Sequence, residues 1–143
     1  MQPAFMSTMI GLMQTMIRLL CVGAGGFLGA SLRYLFGLIP YQADFPAITF
    51  LINLVGCIII GIVAEVAFIR VDDIDANLVL FLKTGFCGGF TTLSAFGLET
   101  WVLFDKGKYL LGGGYILATF AACLIGVLIG RTIARTFLGV SQA

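Results

Sequence analysis

The stretch Thr84-Gly85-Phe86-Cys87-Gly88-Gly89-Phe90-Thr91-Thr92-Leu93-Ser94-Ala95-Phe96-Gly97 lies inside an apolar run extending roughly from Leu78 to Phe104. A helix needs about 20 apolar residues to cross a bilayer, so the run is long enough to span. Its centre is not that of a simple span. Gly85, Gly88 and Gly89 permit backbone other than helix. Thr91, Thr92 and Ser94 offer partners to the N–H and C=O groups that a break releases. Each flanking half is too short to cross alone. The stretch therefore predicts a transmembrane helix broken at mid-membrane, with Gly85, Gly88 and Gly89 at the break. Such breaks form ion and solute sites in transporters. The first half-helix would offer carbonyls to a cation, the second N–H groups to an anion. The same glycines also fit a packing face, with Gly85-x-x-x-Gly89 admitting a neighbouring helix.

Working outward, three more apolar runs pass the length test: roughly Ile17 to Ile39, Ala47 to Ile69, and Tyr109 to Ile129 with a tail to about Thr136. The links between them are short. Pro40 to Pro46 is a turn, Arg70 to Asn77 carries Asp72, Asp73 and Asp75, and Asp105 to Lys108 is tight. None is long enough for a soluble catalytic domain. The fold class is therefore all-α integral membrane, with four transmembrane helices. Composition agrees. Of 143 residues, 60% are hydrophobic and 10% charged, and the mean hydropathy is +1.10. A soluble domain is about 25% charged. Eight basic and seven acidic residues leave no electrostatic footprint for nucleic acid. The absence of His excludes His-based catalysis and disfavours most zinc sites.

Four spans place both termini on one side, with Arg18, Arg70, Arg131 and Arg135. Lys106, Lys108 and Arg33 lie towards the other. The positive-inside bias is weak and compatible with insertion in both orientations. All five Met residues fall at positions 1 to 16. Residues 1–15 lack a basic n-region and a small-residue cleavage site, so they do not read as a signal peptide. They are expected to be an extension outside the folded unit, with 16–143 forming a single channel-like domain. Cys21, Cys57, Cys87 and Cys123 fall one per span, at apparently different depths, and read as small buried hydrophobes rather than a shared metal site.

Arg33, Glu65, Lys83 and Glu99 lie within spans, where ionisable groups are functional by default. Each is also near enough to an interface to snorkel. Arg33 and Glu99 fall towards one side of the bilayer and Glu65 and Lys83 towards the other, so each set is able to form a compensating pair. Thr49 and Asn53 are i, i+4 on the second span. Tyr115, Thr119 and Cys123 share one face of the fourth. Asn53 and Tyr115 lie at similar depth and are placed to meet. Such groups serve as interhelical hydrogen bonds. A whole stripe of donors is also what a narrow filter needs to replace water around a small ion.

Four signatures now stand together. They are Gly25-Gly26-Phe27-Leu28-Gly29-Ala30-Ser31-Leu32-Arg33, Thr49-Phe50-Leu51-Ile52-Asn53-Leu54-Val55-Gly56, Gly85-Phe86-Cys87-Gly88-Gly89-Phe90-Thr91-Thr92 with Ser94-Ala95-Phe96, and the stripe beginning at Tyr115. From about Arg18 to Arg135 the chain resembles the Fluc (CrcB) fluoride channel family. The resemblance implies an antiparallel, dual-topology dimer in the cell (inner or plasma) membrane, with two fluoride pathways and passive export of cytoplasmic fluoride. It implies that the backbone carbonyls of Gly88 and Thr91 hold a structural Na⁺ at the dimer centre. It implies a fluoride pathway with Asn53 and Phe96 as pore residues, Ser94, Tyr115, Thr119 and Cys123 as a polar track beside Thr49, and Arg33 and Glu99 near the vestibules.

Two positions depart from the pattern. The family's first pore phenylalanine falls at Leu93, which has no electropositive ring edge to offer an anion, and Cys123 stands where a hydroxyl is expected. Either the pore tolerates Leu93, or conduction is weak, or a paralogous chain supplies the ring. The partner is thus a second copy or a paralogue. Two other readings compete. A small proton-coupled multidrug exporter is also a four-span dimer, but it needs a carboxylate deep in its first span, and this first span has none. An assembly subunit would have no pathway of its own. An enzyme reading finds no nucleophile–base pair or metal cluster.

Overall fold

The computed structural model describes residues 2–140. Helix α1 runs Gln2–Gly37 and α2 runs Ala47–Ile69. The third span begins as α3 (76–90), whose first turn is Ala76–Val79, whose middle is the π-helical segment Leu80–Cys87, and whose last turn is Gly88–Phe90. It resumes as α4, Leu93–Asp105, and α5 runs Tyr109–Leu138. Among the described residues, four helical stretches are long and apolar enough to cross a membrane: Met6–Gly37, Ala47–Ile69, Ala76–Asp105 and Tyr109–Leu138. Helix α1 does not stop at the predicted start of the first span. It continues back through residues 2–16, and Met6, Met9, Leu12, Met13 and Met16 on that extension are exposed.

Local chemistry sets the ends. Asp75 caps α3 by accepting from the Asn77 N–H at 2.6 Å. Gly107 supplies the left-handed turn, φ 70°, between α4 and α5. Gly139, φ 67°, ends α5 with its N–H turned back onto carbonyls of the last turn. Lys108 and Asp44 form an ion pair that ties this link to the 40–46 turn.

The helices pack chiefly in two pairs, α1 on α3 and α2 on α5, with α4 lying against α5. Both pairs are glycine-mediated. A Cβ on Gly85 would lie 2.7 Å from the Val22 carbonyl oxygen, and one on Gly89 2.5 Å from that of Gly26. Across the other pair, a Cβ on Gly61 would lie 2.5 Å from the Val127 carbonyl oxygen. Without a hydrophobic driving force between helices in lipid, close backbone approach is what holds them. Gly25, Gly29, Gly126 and Gly130 sit in these same contacts. The apolar core joins Phe96, Leu103 and Tyr115 to Phe45, Phe50, Leu111 and Ile116. It therefore lies where α4, α5 and the turn before α2 converge.

The break is not where the glycines predicted it. Gly85 and Gly89 remain helical and serve as the packing face against α1. The chain leaves the helix at Thr91 and Thr92, both extended, with ψ 157° and 117°. The glycines spend their lack of a side chain on proximity, and the threonines supply the bonds that a break requires.

Candidate functional site

Asn53 holds the break. Its side-chain amide donates to the Thr92 carbonyl oxygen at 3.1 Å, and its side-chain oxygen accepts from the Thr92 N–H at 2.8 Å. Asn is suited to this because its side chain repeats the donor and acceptor of a peptide group. The Thr92 hydroxyl accepts from the Ala95 N–H at 3.2 Å and so caps α4. Thr91 folds its hydroxyl back onto the Cys87 carbonyl oxygen at 2.9 Å. Arg33 donates from Nε to the Gly89 carbonyl oxygen at 3.1 Å, reaching across from α1.

These bonds redistribute the helix carbonyls. In an unbroken helix the Gly88 carbonyl would accept from the Thr92 N–H and the Thr91 carbonyl from the Ala95 N–H. The first donor goes to Asn53 and the second to the Thr92 hydroxyl. Gly88 and Thr91 therefore each lose their i+4 donor, and both face the same cavity.

That cavity has a volume of about 380 Å³. Asn53, Thr91, Leu93, Phe96, Thr119 and Cys123 all contribute to its wall. The lining is mixed, apolar rings beside a few convergent polar groups, as in a binding pocket. The Thr119 hydroxyl is buried and, among the described residues, has no hydrogen-bond partner. Phe96 is buried and packs at 5.0 Å between ring centroids on Tyr115 and 6.0 Å, edge to face, on Phe120. Leu93 is 72% exposed at the opening.

A second recess, about 540 Å³, lies towards the 40–46 turn and includes Asp44, Thr49, Glu99 and Lys106. Here Glu99 accepts from the Thr49 hydroxyl at 2.6 Å and from the Tyr115 hydroxyl at 2.8 Å. Tyr115 is wholly buried and also packs against Phe45. It sits between the two recesses, touching Glu99 on one side and Phe96 on the other.

The predicted residues thus fall into three groups. Asn53, Gly88, Thr91, Leu93, Phe96, Thr119 and Cys123 share the cavity. Thr49, Glu99 and Tyr115 form the hydrogen-bonded trio. Ser94 is exposed and shares a 3.3 Å contact with the Thr92 hydroxyl. Asn53 and Tyr115 do not pair with each other, because Thr92 and Glu99 claim them. The proposed ion pairs also fail. Arg33 is bound to a carbonyl rather than to Glu99. Glu65 is held by Arg131 at 2.7 Å and Arg135 at 2.5 Å rather than by Lys83. Three of the four cysteines, Cys57, Cys87 and Cys123, are brought together on one cavity rather than kept at separate depths. Lys83, Cys57, Cys87 and Phe120 also line the wall, though none of them has a place in the pathway that the resemblance implies. Cys57 is four residues after Asn53, and Phe120 is three residues before Cys123, so helical spacing alone was signal enough for both.

Four spans, a mid-membrane break held by an asparagine, and a polar-and-aromatic cavity beside it define a multi-pass membrane protein with a channel-like site. The family model described as CrcB-like protein, Camphor Resistance (CrcB), matches residues 20–131. The chain belongs to the CrcB family. It is 40% identical over 127 residues to the fluoride-specific ion channel FluC of Ruminiclostridium cellulolyticum, covering 87% of this chain and 97% of that one. It is 43% identical over 122 residues to the FluC of Helicobacter pylori strain J99, 82% and 92% of the two chains. It is 39% identical over 124 residues to that of Methanococcus aeolicus, 86% and 99%.

Proposed function

We propose that this chain forms a fluoride-selective channel that lets cytoplasmic fluoride leave passively and so relieves its toxicity. The observation that carries this reading is the cavity in which the unpartnered Thr119 hydroxyl, the Asn53 amide and the Phe96 ring converge. Fluoride is small and strongly hydrated, and burying it bare is prohibitive without compensating groups. Hydroxyl and amide donors with an aromatic edge compensate it without a fixed charge to trap it.

The working unit is an antiparallel pair of chains. The cavity is open along one side of the single chain, next to exposed Leu93 and Phe120, and a second copy on that side would close it. A structural Na⁺ fits the Gly88 and Thr91 carbonyls, which are hard oxygen donors relieved of their helix partners. Its contribution would be to neutralise the converging carbonyl dipoles of two broken helices.

The test is electrode-detected fluoride release from liposomes containing the purified chain alone. Release without proton coupling is the expected result. No release from the single species, restored by a paralogous chain, would replace the homodimer by a heterodimer. Phe96→Ile removes the ring edge and is expected to lower release about tenfold, the equivalent of about 1.4 kcal/mol; full release would remove Phe96 from the pathway. Leu93→Phe is expected to preserve or raise release. Proton-coupled efflux of a lipophilic cation instead would favour the exporter reading.

A further inference from the structure

Two of the three cavity cysteines come from the two helices that cross there. Cys57 on α2 and Cys123 on α5 line the same wall. They are brought together by the glycine crossing that joins these helices. A Cβ on Gly126, one turn beyond Cys123, would lie 3.2 Å from the Cys57 Cβ. Both side chains are half-buried and both line the cavity that contains Asn53 and Thr119. None of the four cysteines is joined in a disulfide. Cys87 lies in the same wall but is almost completely buried, 1% exposed. Among the described residues no three His, Cys, Asp or Glu side chains gather as ligands. Whatever binds here with sulfur must therefore be satisfied by two thiols.

We propose that Cys57 and Cys123 form a two-thiol site for a soft, linearly coordinated dication, Hg²⁺, and that occupancy of the site obstructs the cavity. Soft thiolates select soft metals, whereas zinc and the hard cations want four or more ligands. The exchange suits a low-dielectric wall. When Hg²⁺ binds, two S–H bonds break, two S–Hg bonds form, and two protons leave to water through the cavity. Nothing is oxidised or reduced. A dication replaces two protons, so the wall gains no net charge and the cost of burying an ion is avoided. A single thiol would leave a charged, half-coordinated metal in the same place. Holding the second thiol in position raises its effective concentration, a gain of about 10²-fold or more over one thiol. The obstruction, unlike the site itself, rests on the channel reading above, because it assumes that ions pass this cavity.

The experiment uses the full-length chain in detergent with mercuric chloride, read by intact mass spectrometry. The expected product carries one mercury per chain and lacks two protons. Cys57→Ala and Cys123→Ala should each lose that tight adduct, and Cys21→Ala and Cys87→Ala should keep it. Where a variant does not give monodisperse protein, the wild-type chain decides alone. Mercury bound first should protect Cys57 and Cys123 from maleimide, as located by peptide mapping. An adduct that survives Cys57→Ala or Cys123→Ala, or protection mapped to Cys21 or Cys87, overturns the site. In liposomes, one equivalent of mercury should block fluoride release and dithiothreitol should restore it. Unblocked release with the adduct formed overturns the obstruction. Vesicles that release no fluoride before mercury is added, alone or with a paralogous chain, would refute the channel reading and leave the mass result to decide the site.

Discussion

Glu65 and Glu99 are both carboxylates inside apolar spans, and they are held in opposite ways. Glu65 on α2 is 3% exposed and takes two guanidinium groups from successive turns of α5, Arg131 and Arg135. Its charge is answered by charge, with a surplus. Glu99 on α4 takes only hydroxyls, from Thr49 and Tyr115, and among the described residues it enters no ion pair. The first arrangement locks two helices together. The second orients two hydroxyl donors and leaves a negative charge at the edge of a recess. The difference is that between a clasp and a site.

The largest expected effect comes from removing the clasp. Arg131→Met with Arg135→Met strands a buried carboxylate, and breaking such a pair from one side is strongly destabilising. The yield of monodisperse protein on gel filtration should fall at least about tenfold. An unchanged yield would place Glu65 in contact with water and dissolve the comparison. Next is Glu99→Gln, which keeps the shape but opposes an amide donor to one of the two hydroxyls. Gel-filtration yield should match the wild type while fluoride release drops about tenfold, or about 1.4 kcal/mol. A fall in yield comparable to that of the arginine double variant would make Glu99 a second clasp. Asn53→Leu lies between the two. It unpairs both the Thr92 N–H and carbonyl, at about 1–3 kcal/mol for each group left buried, and should lower both yield and release.

The smallest effect belongs to a third carboxylate, in water. The ammonium of Lys108 beside Asp44 holds that carboxyl below its ordinary pKa of 3.8, with Lys106 adding to the effect. A lowered pKa means that the pair stabilises above pH 3.8 and that this contribution is lost as pH falls through the lowered value. Asp44→Asn should therefore shift thermal unfolding only slightly at neutral pH, and the difference from wild type should vanish in acid. A difference that grew in acid would reverse the assigned sign. Exposed pairs are weak and screened, which makes this one the baseline for the two buried carboxylates.

Sequence reading reached the architecture because hydropathy and length decide spans almost alone. The second span, Ala47 to Ile69, agrees with α2 at both ends. It also reached Asn53 and Thr119, since i, i+4 spacing places side chains on one face, and Phe96 through the family resemblance. It failed where azimuth matters. Arg33 and Glu99 lie towards the same side of the bilayer, yet depth says nothing of which way a helix is rotated, and Arg33 turns to the Gly89 carbonyl. Arg131 and Arg135 were legible as interfacial charges and not as partners of Glu65, because that pairing depends on the α2–α5 crossing. Gly85, Gly88 and Gly89 point to a break that falls instead at Thr91 and Thr92, because bonding decides its place above flexibility. Thr92, bonded to Asn53 through its backbone and to Ala95 through its side chain, is where the helix can afford to stop.

The π-helical segment Leu80–Cys87 has a consequence for how this site is inherited. Segments of this kind arise in effect as one surplus residue within an α-helix. Each residue turns an α-helix by about 100°. Deleting any one position between Leu80 and Gly85 while residues 76–79 keep their place would swing Gly88, Thr91 and Thr92 away from Asn53. No single substitution has that reach. The arrangement is therefore written in residue count as well as residue type, and a lineage would gain or lose it by a three-nucleotide change in length.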